Sequence, residues 1–244
     1  MSWRAAVAEL VGTFAFFVIG AGAICTDAYT RNGVGLVGIA LAHGLILSVM
    51  ISAFGAISGG HFNPAVSIAY AVAGRIGAAQ AAMYVLAQLV GGVLAGLLLR
   101  AVFGQVFPEA VTGPAHLGTP ALAPDVSFGT GLLVEAVLTF FLLLAIYGTA
   151  VDERAPRSIA GFGIGLTVAL DILMGGPLTG AAMNPARTFG PAVAVGFWDN
   201  HLVYWIGPIL GAVVAALLYE YVFIDRAPRP GTAAAEPVER SPAA

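Results

Sequence analysis

Six stretches of this chain stay apolar over roughly 20 residues each, the length a helix needs to cross a hydrocarbon core about 30 Å thick. They fall at about 4 to 25, 34 to 57, 79 to 103, 128 to 150, 157 to 174 and 201 to 224. No water is available in lipid to satisfy exposed backbone groups, so such segments must be helices. Charged residues make up 9% of the 244 positions, against about 25% in a soluble domain. An all-α membrane protein is expected. The first stretch is longer than a secretory leader and contains Glu9, so it is read as a retained helix. The net charge of −3 comes without a basic run, which gives no sign of nucleic-acid binding. The single cysteine, Cys25, permits no intrachain disulfide and no thiolate metal site, and is read as packing. No metal, cofactor or enzyme activity is expected, since no nucleophile stands beside a base.

Two further apolar segments, 64 to 73 and 185 to 195, are too short to span. They are read as half-helices. The first begins inside "GGHFNPAVS" and the second inside "GAAMNPARTFGP", about half a chain later. The chain has only four asparagines, and two of them open the same tripeptide: Asn63, Pro64, Ala65 and Asn184, Pro185, Ala186. Other segments repeat as well. "AELVGTF" aligns with "VEAVLTF", pairing Glu9 with Glu135 and Thr13 with Thr139. "YVLAQLVGGVLAGLL" aligns with "YWIGPILGAVVAALL". The unit is three spans with a half-helix between the second and third, used at about 4–105 and again at 128–225. Three is odd, so the second copy enters the membrane upside down, as in the inverted repeats of channels and transporters. Residues 1–225 are read as one transmembrane domain and 226–244, rich in proline and alanine, as a disordered cytoplasmic tail. With both termini in the cytoplasm, Arg4, Arg75, Arg154, Arg157, Arg226, Arg229 and Arg240 lie inside and only Arg31 and Arg100 outside, in accord with the positive-inside bias.

Proline is favoured at the first helical position and asparagine at the cap before it, so each tripeptide reads as a helix start. Inversion brings both starts together near the midplane. Non-helical backbone survives at that depth only when buried in protein or lining a cavity. Gly59, Gly60, His61, Gly180 and Ala182 are expected to supply it, with carbonyls toward a pore. Glu9 and Glu135 are expected to accept hydrogen bonds from these loops. Each helix start carries about half a positive charge. At 5 Å from both and an effective dielectric near 20, a monovalent cation is repelled by ~3 kcal/mol. The asparagine amides would donate to a water oxygen and break a proton wire at the centre. Asp171 is read as a loop brace and the glycines of "GGVLAG" as close helix packing.

The paired motifs, the extension "NPARTFGPA" and the later run "NHLVYWIGP" resemble the aquaporin (major intrinsic protein) family over about residues 4 to 225. That resemblance implies an aquaporin-like fold of six transmembrane helices and two re-entrant half-helices, a homotetramer, passage of water and small neutral solutes, and Asn63 and Asn184 as central donors. It implies Arg187 at the outer constriction. Thr188, where glycerol-conducting members carry Asp, together with Ala192, Tyr204 and Trp205, is similar to the water-channel branch. Counting back twenty residues from Asn63, and fifteen and six from Arg187, gives a filter of His43, Ile172, Ala181 and Arg187. This set, and the run "DILMGGPLTGAAMNPARTFGPA", is similar to plant tonoplast intrinsic proteins and the animal ammonia-permeable aquaporin. A passive channel for water, ammonia and hydrogen peroxide that excludes protons and ions is the resulting expectation, in a plasma membrane. A glycerol or urea facilitator is the nearer alternative and an ion-coupled transporter the more distant one.

Overall fold

The computed structural model describes residues 2–224; the tail expected at 226–244 lies outside them. The long helices are α1 (Trp3–Tyr29), α2 (Gly35–Ser58), α4 (Ala78–Val106), α6 (Phe128–Ile146), α7 (Ala160–Thr179) and α9 (Val203–Leu218), with half-helices α3 (Pro64–Val72) and α8 (Pro185–Val195) and a short α5 (Glu109–Thr112). A turn of π-helix prolongs α6 to Val151 and α9 to Phe223. Among the described residues, six helices are long and apolar enough to cross a membrane. The even number puts both ends of the described residues at one face, called here the terminal face.

Local chemistry fixes the half-helices. Asn63 and Asn184 are extended at φ −154° and −155°, and their side chains accept from the N–H groups of Ala65 and Ala186 at 2.9 and 3.0 Å. Proline follows each, where its missing N–H costs no bond. Upstream, α2 and α7 stop at Gly59 and Gly180, which take left-handed conformations at φ 94° and 82°. This is the glycine helix stop. The fifth span runs five residues further than the apolar pattern indicated, to Thr179, and includes Pro177 in its last turn before the left-handed Gly180 stops it. There the proline removes a single hydrogen bond rather than breaking the helix.

The two repeats pack as inverted copies. Within each, the first span lies against the third, α1 on α4 and α6 on α9. Between them, α2 crosses α7, and each half-helix lies against the other repeat's third span, α3 on α9 and α8 on α4. The α2–α7 crossing is closest at Gly44 and Gly165, where a Cβ on either residue would run into the other's carbonyl oxygen. Gly92 and Gly96 likewise bring the α4 backbone onto α8, the close packing expected of that run. Leu86, Leu133 and Phe162 stand exposed on the outside. In lipid that is their proper environment, since small residues and packing, not burial of apolar surface, hold helices together there.

Candidate pore and its constrictions

Two buried carboxylates organise the re-entrant loops. Glu9 on α1 accepts from the Ser58 hydroxyl at 2.6 Å and the N–H groups of His61 and Phe62 at 2.9 and 2.7 Å, and from the Gln88 amide at 2.7 Å. Glu135 on α6 repeats this from the Thr179 hydroxyl and the N–H groups of Ala182 and Met183 at 2.7, 2.9 and 2.7 Å. A second matched pair holds the loop entrances: the hydroxyls of Tyr84 and Tyr204 donate to the carbonyls of Ser58 and Thr179, each at 2.8 Å. The restraint matters because these loops are strained. Gly60 and Phe62 in one, and Ala181 and Met183 in the other, have positive φ. Outside glycine such a conformation costs about 1–3 kcal/mol and persists only where the surroundings over-determine it.

At the centre the half-helix starts meet. The Asn63 side-chain amide donates to the Met183 carbonyl at 2.8 Å and that of Asn184 to the Phe62 carbonyl at 2.9 Å. A primary amide has two N–H groups, so each asparagine is held by one and has a second for a guest.

Beside this junction runs a narrow internal channel of about 50 Å³. One wall is apolar, formed by Phe16, Leu47, Ile51, Leu142, Ile146, Ile164 and Val168. The other carries Gly59, Gly60, His61, Asn63, Ala181, Ala182, Asn184 and Arg187. The lining is therefore apolar for the most part, with its polar side chains at His61, Asn63, Asn184 and Arg187 on the re-entrant side. The channel opens at the terminal face into a vestibule of about 840 Å³ that shares Ile51, Gly59, His61, Tyr70 and Ala150 with it. At the opposite face a vestibule of about 270 Å³ shares His43, Ile172 and Arg187. Gly180 lies on that second vestibule instead of the channel.

The four residues selected by counting thus gather at one end of the channel, with Ala181 just inside it. His43 Nδ1 lies 2.9 Å from the Ile39 carbonyl, and Gly20 on α1 leaves the space its ring occupies. A carbonyl only accepts, so Nδ1 carries the hydrogen and a neutral ring presents Nε2 as a lone pair. That atom has no protein partner. Arg187, 3% exposed, donates from one terminal nitrogen to the Gly118 carbonyl at 3.1 Å, and its Nε has no protein partner. Gly118 belongs to the segment between α4 and α6, which folds back toward the channel mouth. Nothing in the sequence marks it, since a backbone carbonyl leaves no side-chain signature. The Tyr84 and Tyr204 pair, by contrast, stands aligned in the two repeat segments. Asp171 does not brace a loop: it is buried away from the channel, and its Oδ2 has no hydrogen-bond partner. Cys25 is fully buried and off the channel wall.

An inverted repeat of membrane-crossing helices, with two half-helices meeting end to end beside a narrow internal cavity that shares lining residues with a vestibule at each face, is the architecture of a membrane channel. The chain belongs to the major intrinsic protein family, the aquaporins, whose family model matches residues 1–219. It is 47% identical over 229 residues to aquaporin TIP4-4 of Zea mays, covering 91% of this chain and 87% of that one. With aquaporin-4 of Mus musculus it shares 42% over 226 residues, 91% of this chain and 68% of the relative. Its fold is similar to the X-ray structure of the aquaglyceroporin from Plasmodium falciparum, with a TM-score of 0.81 at 25% identity, covering 90% of this chain and 96% of that one.

Proposed function

We propose that residues 1–225 form one passive pore for water, ammonia and hydrogen peroxide that rejects protons and ions and performs no catalysis. The observation that carries this is the company around the constriction: a small Ala181 and an apolar Ile172 face two polar groups of opposite hydrogen-bonding sense, the His43 Nε2 lone pair and the Arg187 guanidinium. Ammonia matches both at once. Its lone pair accepts from Arg187 while an N–H donates to His43, so it sheds water at little cost. Ammonium has no lone pair and meets the guanidinium and two helix starts with its charge intact.

Asn63 and Asn184 act as the central donors. Their free N–H groups fix a water oxygen, turn its hydrogens outward and interrupt proton hopping. Glu9 and Glu135 serve structure alone. Four subunits assemble in the membrane with both termini in the cytoplasm. On the compartment, the likeness to TIP-type aquaporins favours an internal, tonoplast-like membrane over the plasma membrane expected from the sequence.

The test is alkalinisation inside proteoliposomes after an external ammonium chloride jump, against empty liposomes and an Ile172→His, His43→Phe double variant. The wild type should alkalinise fastest and the double variant close to empty liposomes, with water flux retained. Equal ammonia entry in all three would leave a pore for water alone.

A further inference from the structure

Arg100 lies in the last third of α4, near the face opposite the termini. One of its terminal nitrogens donates to the Ala194 carbonyl, in the last turn of α8, where the helix dipole favours a cation. The residue is otherwise exposed, and its neighbours Leu97, Leu98 and Val102 are exposed apolar side chains. On a helix long and apolar enough to cross a membrane, such an exposed apolar surface suits lipid. The ion pairs among the described residues join Arg75 to Glu220 and Arg154 to Asp152, and neither involves Arg100. Beside it opens a groove of about 520 Å³, lined by Leu97, Gln105, Val111 and Thr112 as well as by Arg100 itself. Trp198, exposed just past the end of α8, follows the Ala194 carbonyl by four residues and is of the residue type enriched where hydrocarbon gives way to headgroups.

A cation on a lipid-facing surface is costly unless an anion meets it, and here the protein supplies a carbonyl but, among the described residues, no carboxylate within ion-pair distance, Glu109 of the neighbouring α5 included. We propose that this groove binds the phosphodiester headgroup of a phospholipid in that leaflet. Arg100 pairs with the phosphate through its remaining N–H groups, Gln105 donates to a phosphate or ester oxygen, and an acyl chain lies along Leu97.

Native mass spectrometry of the detergent-purified channel, titrated with phosphatidylglycerol, tests this against diacylglycerol of the same chains and against competing inorganic phosphate. The wild type should hold phosphatidylglycerol in preference to diacylglycerol, unaffected by inorganic phosphate. Arg100→Gln should bind it about fivefold more weakly, the contribution of one cationic side chain near a bilayer surface. Gln105→Leu leaves the Arg100–Ala194 contact in place and should weaken binding about threefold, the worth of one hydrogen bond; it carries the test if Arg100→Gln does not fold. Equal binding by wild type and Gln105→Leu, equal binding of diacylglycerol, or displacement by inorganic phosphate would each overturn the site.

Discussion

Asn63 and Met183, half a chain apart, are joined by a 2.8 Å hydrogen bond from the asparagine amide to the methionine carbonyl, and its inverted copy runs from Asn184 to Phe62. Each half-helix start is thereby held by the loop that precedes the other. The centre of the pore is one rigid unit built from both repeats, and the orientation of its two free N–H groups is fixed before any water arrives.

Asn184→Asp exchanges a donor for an acceptor at that junction. The Phe62 carbonyl loses its partner, which costs about 1–3 kcal/mol when buried, and a negative charge enters between two positive helix ends. Lower water flux and a new cation current are expected. Stopped-flow light scattering and bilayer recordings read both, and a variant matching wild type in each would remove Asn184 from the mechanism.

Glu135→Gln tests the loop anchor. The carboxylate accepts from three donors, whereas an amide offers one accepting oxygen and turns an NH₂ group toward at least one N–H. Hydrogen bonds to a charged group contribute about 1.5–3 kcal/mol each, so a marked fall in unfolding temperature should follow, and Glu9→Gln should behave alike. Tryptophan fluorescence during heating measures it. Unchanged melting in both variants would mean that the loops hold themselves.

Repetition decides how much of the site is legible in the sequence. Glu9 and Glu135, or Asn63 and Asn184, stand out because each occurs twice at matched positions, and a chain seldom repeats a buried acid without structural need. Singular features left no such trace. The Gly118 carbonyl that holds Arg187 is backbone, and Gln88 on Glu9 has Pro208 at its matched position, so neither could be found by alignment of the halves. The left-handed conformations of Phe62, Ala181 and Met183 were hidden for another reason. Only glycine advertises positive φ, and Ala181 stands where the first repeat has Gly60.

Ala181 offers a direct check on the constriction. Its side chain borders the channel while Cys25 is buried off the wall. Mercurials should leave wild-type water flux nearly intact and should block Ala181→Cys, with recovery on adding thiol. Resistance of Ala181→Cys would place residue 181 away from the narrowest point.

A pore of this kind passes neutral solute and holds back protons, and one preparation reads both properties. Proteoliposomes holding the wild-type channel and a pH-sensitive dye are exposed first to an osmotic step and then to a pH step. Shrinkage should be several-fold faster than in empty liposomes, with the pH gradient decaying no faster than in those controls. Shrinkage at the control rate, or rapid collapse of the pH gradient, would contradict such a pore.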